Sequence, residues 1–384
     1  MTTDGDAPGG REVAEVAEMS RSSRDHKEVR ARLERWLAGR LPEGAAPRIT
    51  GLQSTAATGM SNETLLLTAS WQEGGRSRDE RLVARLAPDP GDVPVFPRYD
   101  LDRQYEVIRL VGELSDVPVP PVWWSEPDPA AIGTPFFVMG HVDGRVPPDV
   151  MPYTFGDNWL HDADEADQRC LQDATVSVLA RLHAVDGAEE RFAFLRPDAP
   201  GDTPLRRRVA TARAWYDFAA ADGFASPLVE QGFAWLDAHW PATEGETVLS
   251  WGDARIGNVL YDGFTPAAVL DWEMATLGPR ELDLGWLIYA HCIFNDIAGA
   301  FGLPGMPGFM RAEDVAAGYE ALTGHRLGDL AFYGTLAALQ YGIVFLRTGA
   351  RSVHFGELEP PDQVDDLLHN REGLERMLAG EYWT

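Results

Sequence analysis

Two short apolar runs that each end in an acid constrain this chain more than any other feature in it. From Val248 to Gly278 the sequence reads VLSWGDARIGNVLYDGFTPAAVLDWEMATLG. Asp253 closes the first run, Asn258 lies five residues on, and Asp271 follows thirteen residues later. TVLSWGD reads as a short strand, and NVLYDG with AAVLDWE as a hairpin turned by the Gly and Pro of DGFTP. Closing that hairpin carries Asn258 and Asp271 back towards Asp253. An isolated Asp at a strand end is ordinarily a turn or cap residue. Two carboxylates and an amide converging on one point instead suit phosphoryl transfer. One carboxylate orients a hydroxyl and takes its proton, while the other carboxylate and the amide oxygen hold metal ions that neutralise a triphosphate. Oxygen ligands are what Mg²⁺ prefers.

The rest of the chain changes texture once. A length of 384 residues suits two domains of ordinary size. Residues 1–25 read as a disordered tail rich in Gly, Ser and charge. HKEVRARLERWLAGRLP is an amphipathic helix stopped by Gly39 and Pro42. NETLLLTASW and RLVARLAP are strand candidates with QEGGRSRD as the turn between them, and GTPFFVMGHV is another strand. DLDRQYEVIRLVGEL is a helix, and VPVPPVWW is an extended Pro-rich segment. Beyond Val142 helices dominate: DQRCLQDATVSVLARLHAVD puts Leu171, Thr175, Val178 and Leu182 on one face. The pattern predicts a small β-rich lobe over 26–142 and a larger helical lobe over 143–384, hinged near Met139 to Val142.

Composition narrows the partners. A formal charge of −27 argues against nucleic acid, whose phosphates demand a basic surface. No apolar stretch reads as long enough to span a bilayer, so no membrane partner is expected. MTTDGDAPGG lacks the basic-then-apolar order of a signal peptide, and two cysteines fit a reducing compartment; both predict a cytoplasmic protein. Lys27 is the only lysine, so every other basic group is Arg or His. No CxxC or HxxxH spacing supports zinc. The pairs Trp123-Trp124 and His291-Cys292 read as packing.

The D-x-x-x-x-N spacing followed by an Asp at a strand end resembles the catalytic core of the protein-kinase-like fold. WGDARIGNVLY, VLDWEMATLG and DLGWL together resemble the aminoglycoside phosphotransferase and choline kinase-like family, over most of the chain from about Arg48. IGTPFFVMGHVDGR and LDWEMATLG are most similar to the branch found fused to acyl-CoA dehydrogenases. The resemblance implies an α+β, two-lobed protein-kinase-like fold and a Mg²⁺-dependent kinase. It would move the γ-phosphoryl group of ATP, or of GTP in its place, to the hydroxyl of a small molecule. It further implies that Asp253 is the catalytic base and that Asn258 and Asp271 bind Mg²⁺. TGMSNET, with Gly59, Ser61 and Asn62, would cover the phosphates; Arg85 would reach them and pair with Glu106. Backbone from Met139 to His141 would hold adenine, Asp283 would orient the catalytic loop, and His183 would be structural.

Two positions depart from the family pattern. Trp251 stands where His is usual, and an indole N–H donates one hydrogen bond but accepts none. Arg85 stands where most kinases have Lys; it keeps the charge and can fork across two phosphate oxygens. Glu273 and Arg255 are further candidates to meet the acceptor or phosphate. The acceptor classes in view are an aminoglycoside or amino-sugar, a hydroxy acid or hydroxyacyl thioester, and a choline-like amino alcohol. Trp251 and the Gly-poor loop leave one other class, a nucleotide-binding pseudokinase that acts as scaffold or sensor.

Overall fold

A computed structural model describes residues 25–54, 62–88, 93–149 and 152–382. By its contacts the chain divides into two units, one of residues up to 89 with 122–141, the other of residues 90–121 with 142–384.

In the first unit, helix α1 (His26–Ala38) begins at Asp25, whose side chain accepts from the Lys27 N–H at 2.8 Å. Its Val29, Leu33 and Leu37 recur every fourth residue, so they share one face and are all buried. Lys27 itself is exposed in the first turn. Strands β1 (Arg48–Ser54), β2 (Glu63–Glu73), β3 (Arg76–Leu86), β4 (Val122–Glu126) and β5 (Phe136–Gly140) form one antiparallel sheet in the order β1-β2-β3-β5-β4. The helix face packs on Leu65, Leu67, Leu82, Phe136 and Val138. Truncating Leu33, buried in that core, would cost about 2–5 kcal/mol. The β2–β3 turn is only Gly74-Gly75, at φ 59° and 79°, a two-residue connection that needs left-handed backbone at both positions. RSRD, read from sequence as part of the turn, is therefore strand; its exposed charges hid it.

In the second unit, α2 (Leu101–Leu114) is followed by the helices α3 (Glu165–His183), α4 (Pro204–Ala221) and α5 (Pro227–Ala238). Strand β6 (Thr247–Ser250) pairs with β9 (Thr276–Pro279), and β7 (Val259–Asp262) with β8 (Thr265–Val269). Helices α6 (Glu281–Ala300), α7 (Ala312–Thr323), α8 (Leu330–His354) and α9 (Arg371–Leu378) complete it. The face read on α3 is the buried one, with Leu171, Thr175, Val178 and Leu182 all inaccessible.

Two expectations change. The sequence pattern groups all of 26–142, but 90–121, with α2 and its Glu106, belongs to the helical unit. Specific bonds hold it there. Buried Arg347 donates from Nε and Nη2 to the Pro94 carbonyl at 3.1 and 2.8 Å. Trp215 Nε1 donates to the Val95 carbonyl at 2.8 Å, and Phe96 stacks on the Trp215 ring at 4.7 Å. The Val269 N–H reaches the Pro118 carbonyl at 2.8 Å. The second change concerns α8, which by length and composition is apolar enough to cross a membrane, with mean hydropathy 1.3 over its best window. Most of that apolar surface is used inside the unit, since 72% of the window is buried.

Candidate active site

The turn after β6 is built around one buried acid. Asp283, in the first turn of α6, accepts at Oδ1 from the Ser250 hydroxyl and the Gly252 N–H, both at 2.8 Å. Its Oδ2 accepts from the Trp251 N–H at 2.8 Å and from His183 Nε2 at 3.0 Å. A carboxylate only accepts, so His183 carries its proton on Nε2, and its Nδ1 meets the Tyr319 hydroxyl at 2.8 Å. Gly252 sits at φ 88°, and a Cβ there would collide with the Met274 carbonyl. Glycine is therefore demanded twice, by backbone and by space.

Trp251 is fully buried. Its Nε1 donates to the carbonyls of Leu270 at 2.9 Å and Asp271 at 3.2 Å. The indole thus ties the loop before Asp253 to the strand end that carries Asp271. A donor-only side chain meets this need, because both partners are carbonyl oxygens.

The three acids and amides read from the sequence converge as the hairpin requires. The Leu270 N–H donates to the Asn258 carbonyl at 2.8 Å, and Asn258 Nδ2 donates to Asp253 Oδ2 at 2.6 Å. Trp286 Nε1, on α6, donates to Asp253 Oδ1 at 2.8 Å. Burial pushes the Asp253 carboxyl above its usual range, and the Asp271 charge adds to that. Arg255, Asn258 and Trp286 oppose it. Asp271 holds φ 58°, a left-handed conformation rare for a non-glycine residue and concentrated at functional sites.

A further acid faces this cluster from outside any motif. Asp149 forms an ion pair with Arg255 Nη1. Arg255 Nε lies 3.2 and 3.3 Å from the two Asp253 oxygens. Tyr341, on α8, senses Arg255, Asp253 and Asp149, and burial pushes its hydroxyl well above the usual range. Its ring lies 4.9 Å from that of Trp286. Asp149, Trp286 and Tyr341 were not assigned from sequence. The first sits in a Pro-rich connection, and the other two read as apolar helix faces. Glu273 lies close enough for its charge to raise the Tyr99 hydroxyl, which burial raises most.

The remaining residues read from sequence make contacts of their own. Asn62 is buried just before β2. Arg85 Nη1 donates to the Thr64 hydroxyl at 3.1 Å. Glu106 pairs with Arg109 one turn along α2 at 2.6 Å, which holds its carboxyl below the usual range. Met139 lies inside the sheet opposite Val83 and Val122, and the His141 N–H donates to the Arg81 carbonyl at 2.9 Å. Gly59 and Ser61 lie outside the described residues.

Comparison with known proteins bears on the family and the fold. The model of the phosphotransferase enzyme family APH matches residues 53–322. Acyl-CoA dehydrogenase family member 11 of Gallus gallus is 32% identical over 269 residues, 68% of this chain and 31% of that protein. The Homo sapiens member 11 is 29% identical over 72% of this chain and 32% of its own length. The chain thus spans about a third of the length of these curated relatives. Among solved structures, a Ralstonia eutropha protein provisionally assigned as an aminoglycoside phosphotransferase aligns with TM-score 0.63 at 23% identity, covering 92% of this chain and 97% of its own. A type I macrolide 2'-phosphotransferase aligns with TM-score 0.55 at 16% identity, covering 89% and 99%. The fold is the two-lobed kinase-like one, and with more than half its length matched the chain belongs to the APH phosphotransferase family, whose members act on hydroxyl acceptors.

Proposed function

We propose that the chain is an ATP- and Mg²⁺-dependent small-molecule kinase that transfers the γ-phosphoryl group to a hydroxyl. The observation that carries the reading is the meeting of Asp253, Asn258 and Asp271 on one frame. Asp253 would orient the acceptor hydroxyl and take its proton; its raised proton affinity suits a base. Asn258 gives Nδ2 to Asp253, which leaves its amide oxygen for a cation, and Asp271 supplies a carboxylate. Among the described residues no group of three His, Cys, Asp or Glu side chains is placed to hold a metal. Two protein oxygens with the rest of the shell from phosphate and water is the manner in which Mg²⁺ ordinarily binds. When bound, the ion would neutralise charge developing on the phosphates. Arg85 would pair with the phosphates, and Asn62 with Gly59 and Ser61 would cover them. Backbone from Met139 to His141 would hold adenine.

The names of the relatives favour a hydroxy acid or hydroxyacyl compound as acceptor, ahead of an aminoglycoside or amino-sugar. A family structure in ternary complex with ADP and hygromycin B supports an adenine nucleotide as donor. The scaffold alternative loses its main support, because Trp251 is absorbed into the loop by two hydrogen bonds. The test is thermal shift with ATP in Mg²⁺ or EDTA, followed by a panel of hydroxylated metabolites and antibiotics scored by ADP release. The expected result is a larger shift with Mg²⁺ that Asp271→Ala removes. A Mg²⁺-dependent shift unchanged in Asp271→Ala overturns the metal assignment.

A further inference from the structure

The catalytic loop contains an Arg whose natural place is on the base, yet the fold holds it elsewhere. A guanidinium facing a single carboxylate takes both oxygens with two parallel N–H groups. Arg255 offers Asp253 only its Nε, at 3.2 and 3.3 Å, because Nη1 is taken by Asp149. Asp149 lies 106 residues before Arg255 and is brought there by its own anchors. Arg145 and Tyr261 exchange backbone hydrogen bonds at 2.9 and 3.0 Å, which docks the start of the segment on β7. The Tyr153 N–H donates to the Pro148 carbonyl at 2.9 Å, and the Tyr153 hydroxyl is hydrogen-bonded with His291 Nδ1 at 2.9 Å, which fixes its end. The other Asp149 oxygen is buried without a hydrogen-bond partner, so its charge is balanced through Arg255. Gly257 leaves the space for the pair, since a Cβ there would collide with both side chains.

We propose that Asp149 is a positioning residue: by holding the far end of the Arg255 guanidinium, it keeps Arg255 from closing on Asp253 and leaves the base open to the acceptor hydroxyl. The proposal rests on the kinase reading for its effect on rate, and on geometry alone for the position of Arg255. The groups around Asp253 are Arg255, Asp271, Asn258, Trp286 and Tyr341. Arg255 is the cation among them, and its guanidinium carries N–H groups beyond Nε that could swing onto the base.

Asp149→Asn keeps the shape and removes the charge. With ATP and Mg²⁺, and water or the acceptor found by the panel, kcat should fall about tenfold, one decade of the roughly 10²–10⁴-fold a general base contributes. The acceptor KM and the thermal shift with ATP and Mg²⁺ should stay as in the wild type, whereas a merely structural role would lower the shift and the melting temperature. Asp149→Glu should recover part of the rate. In an Arg255→Ala background Asp149→Asn should cost nothing further, because Asp149 acts only through Arg255. A crystal structure of Asp149→Asn should place two guanidinium nitrogens on Asp253. An Asp149→Asn rate within twofold of wild type, a full loss persisting without Arg255, or a guanidinium unmoved in the crystal would each overturn the proposal. A wild type with no nucleotide shift and no ADP release would sink the kinase reading instead, and the crystal structure would still decide the role of Asp149.

Discussion

The two sides of the catalytic loop are held by opposite means. Behind it, Asp283 is fully buried and all its contacts are donors: a hydroxyl, two backbone N–H groups and an imidazole. In front, Asp253 shares its surroundings with another acid, Asp271, and with an Arg divided between two carboxylates. The back is closed in hydrogen bonds, while the front brings carboxylates together in excess of its one guanidinium. Hydrogen bonding is most complete behind the loop, and charge imbalance lies on the side where the chemistry is proposed.

That contrast makes Asp253→Asn the variant with the largest expected effect. Asn keeps the size and cannot take the proton, so transfer to the true acceptor should fall by roughly 10²–10⁴-fold. The melting temperature and the ATP shift should hardly move. A variant within about threefold of wild type would remove Asp253 from the mechanism. At the back the same chemical change should act on stability instead. Asp283→Asn turns an amide N–H₂ against donors, and each stranded buried group costs about 1–3 kcal/mol, so urea unfolding should show a loss of about 3 kcal/mol. Equal effects on rate and stability in both variants would erase the distinction between the two sides.

A third effect is set by pH. Burial holds His291 down to about 4 from 6.5, with the Met306 carbonyl bond opposing. The folded protein therefore resists a proton that the unfolded chain accepts. Its contribution is complete above pH 6.5 and is lost as pH falls towards 4, in all about 3 kcal/mol. His291→Gln should flatten this slope in urea titrations between pH 7 and 4, and a slope unchanged by the substitution would clear His291 of it. The smallest expected effect belongs to Trp251→Phe. It removes one donor shared by two carbonyls and should cost about 1–2 kcal/mol with a severalfold lower rate. A wild-type rate would mean that the Leu270 and Asp271 carbonyls need no tether.

Asp253, Asn258 and Asp271 were legible because a hairpin is a local object: thirteen residues and a turn signal bring them together. Asp283 and His183 came only with the family resemblance, since a hundred residues separate them and neither sits in a pattern of its own. Strand β9, TLGP in sequence, was missed because its apolar content is slight and its partner β6 is remote. The first half of β3 was hidden by charges on an exposed strand, where alternation is polar on polar. Asp149 could not have been found at all, because its position follows from the Arg145–Tyr261 bridge and the Tyr153–His291 bond, neither of which leaves a periodic trace. α2 looked like part of the β-rich lobe from its place in the chain; Arg347 and Trp215, far downstream, decide otherwise.

The single lysine has a practical consequence. Nucleotide probes that carry a reactive acyl phosphate tag kinases by acylating the amine that normally contacts the phosphates. Here that contact is proposed for Arg85, a guanidinium that such reagents do not acylate, and the one side-chain amine is Lys27, exposed in the first turn of α1. A proteome-wide survey of ATP-binding proteins by lysine acylation would pass over this enzyme. An amine-reactive dye or surface would in turn find one side-chain amine, on a helix of the first unit, beside the chain's α-amine, and leave the residues around Asp253 unmodified.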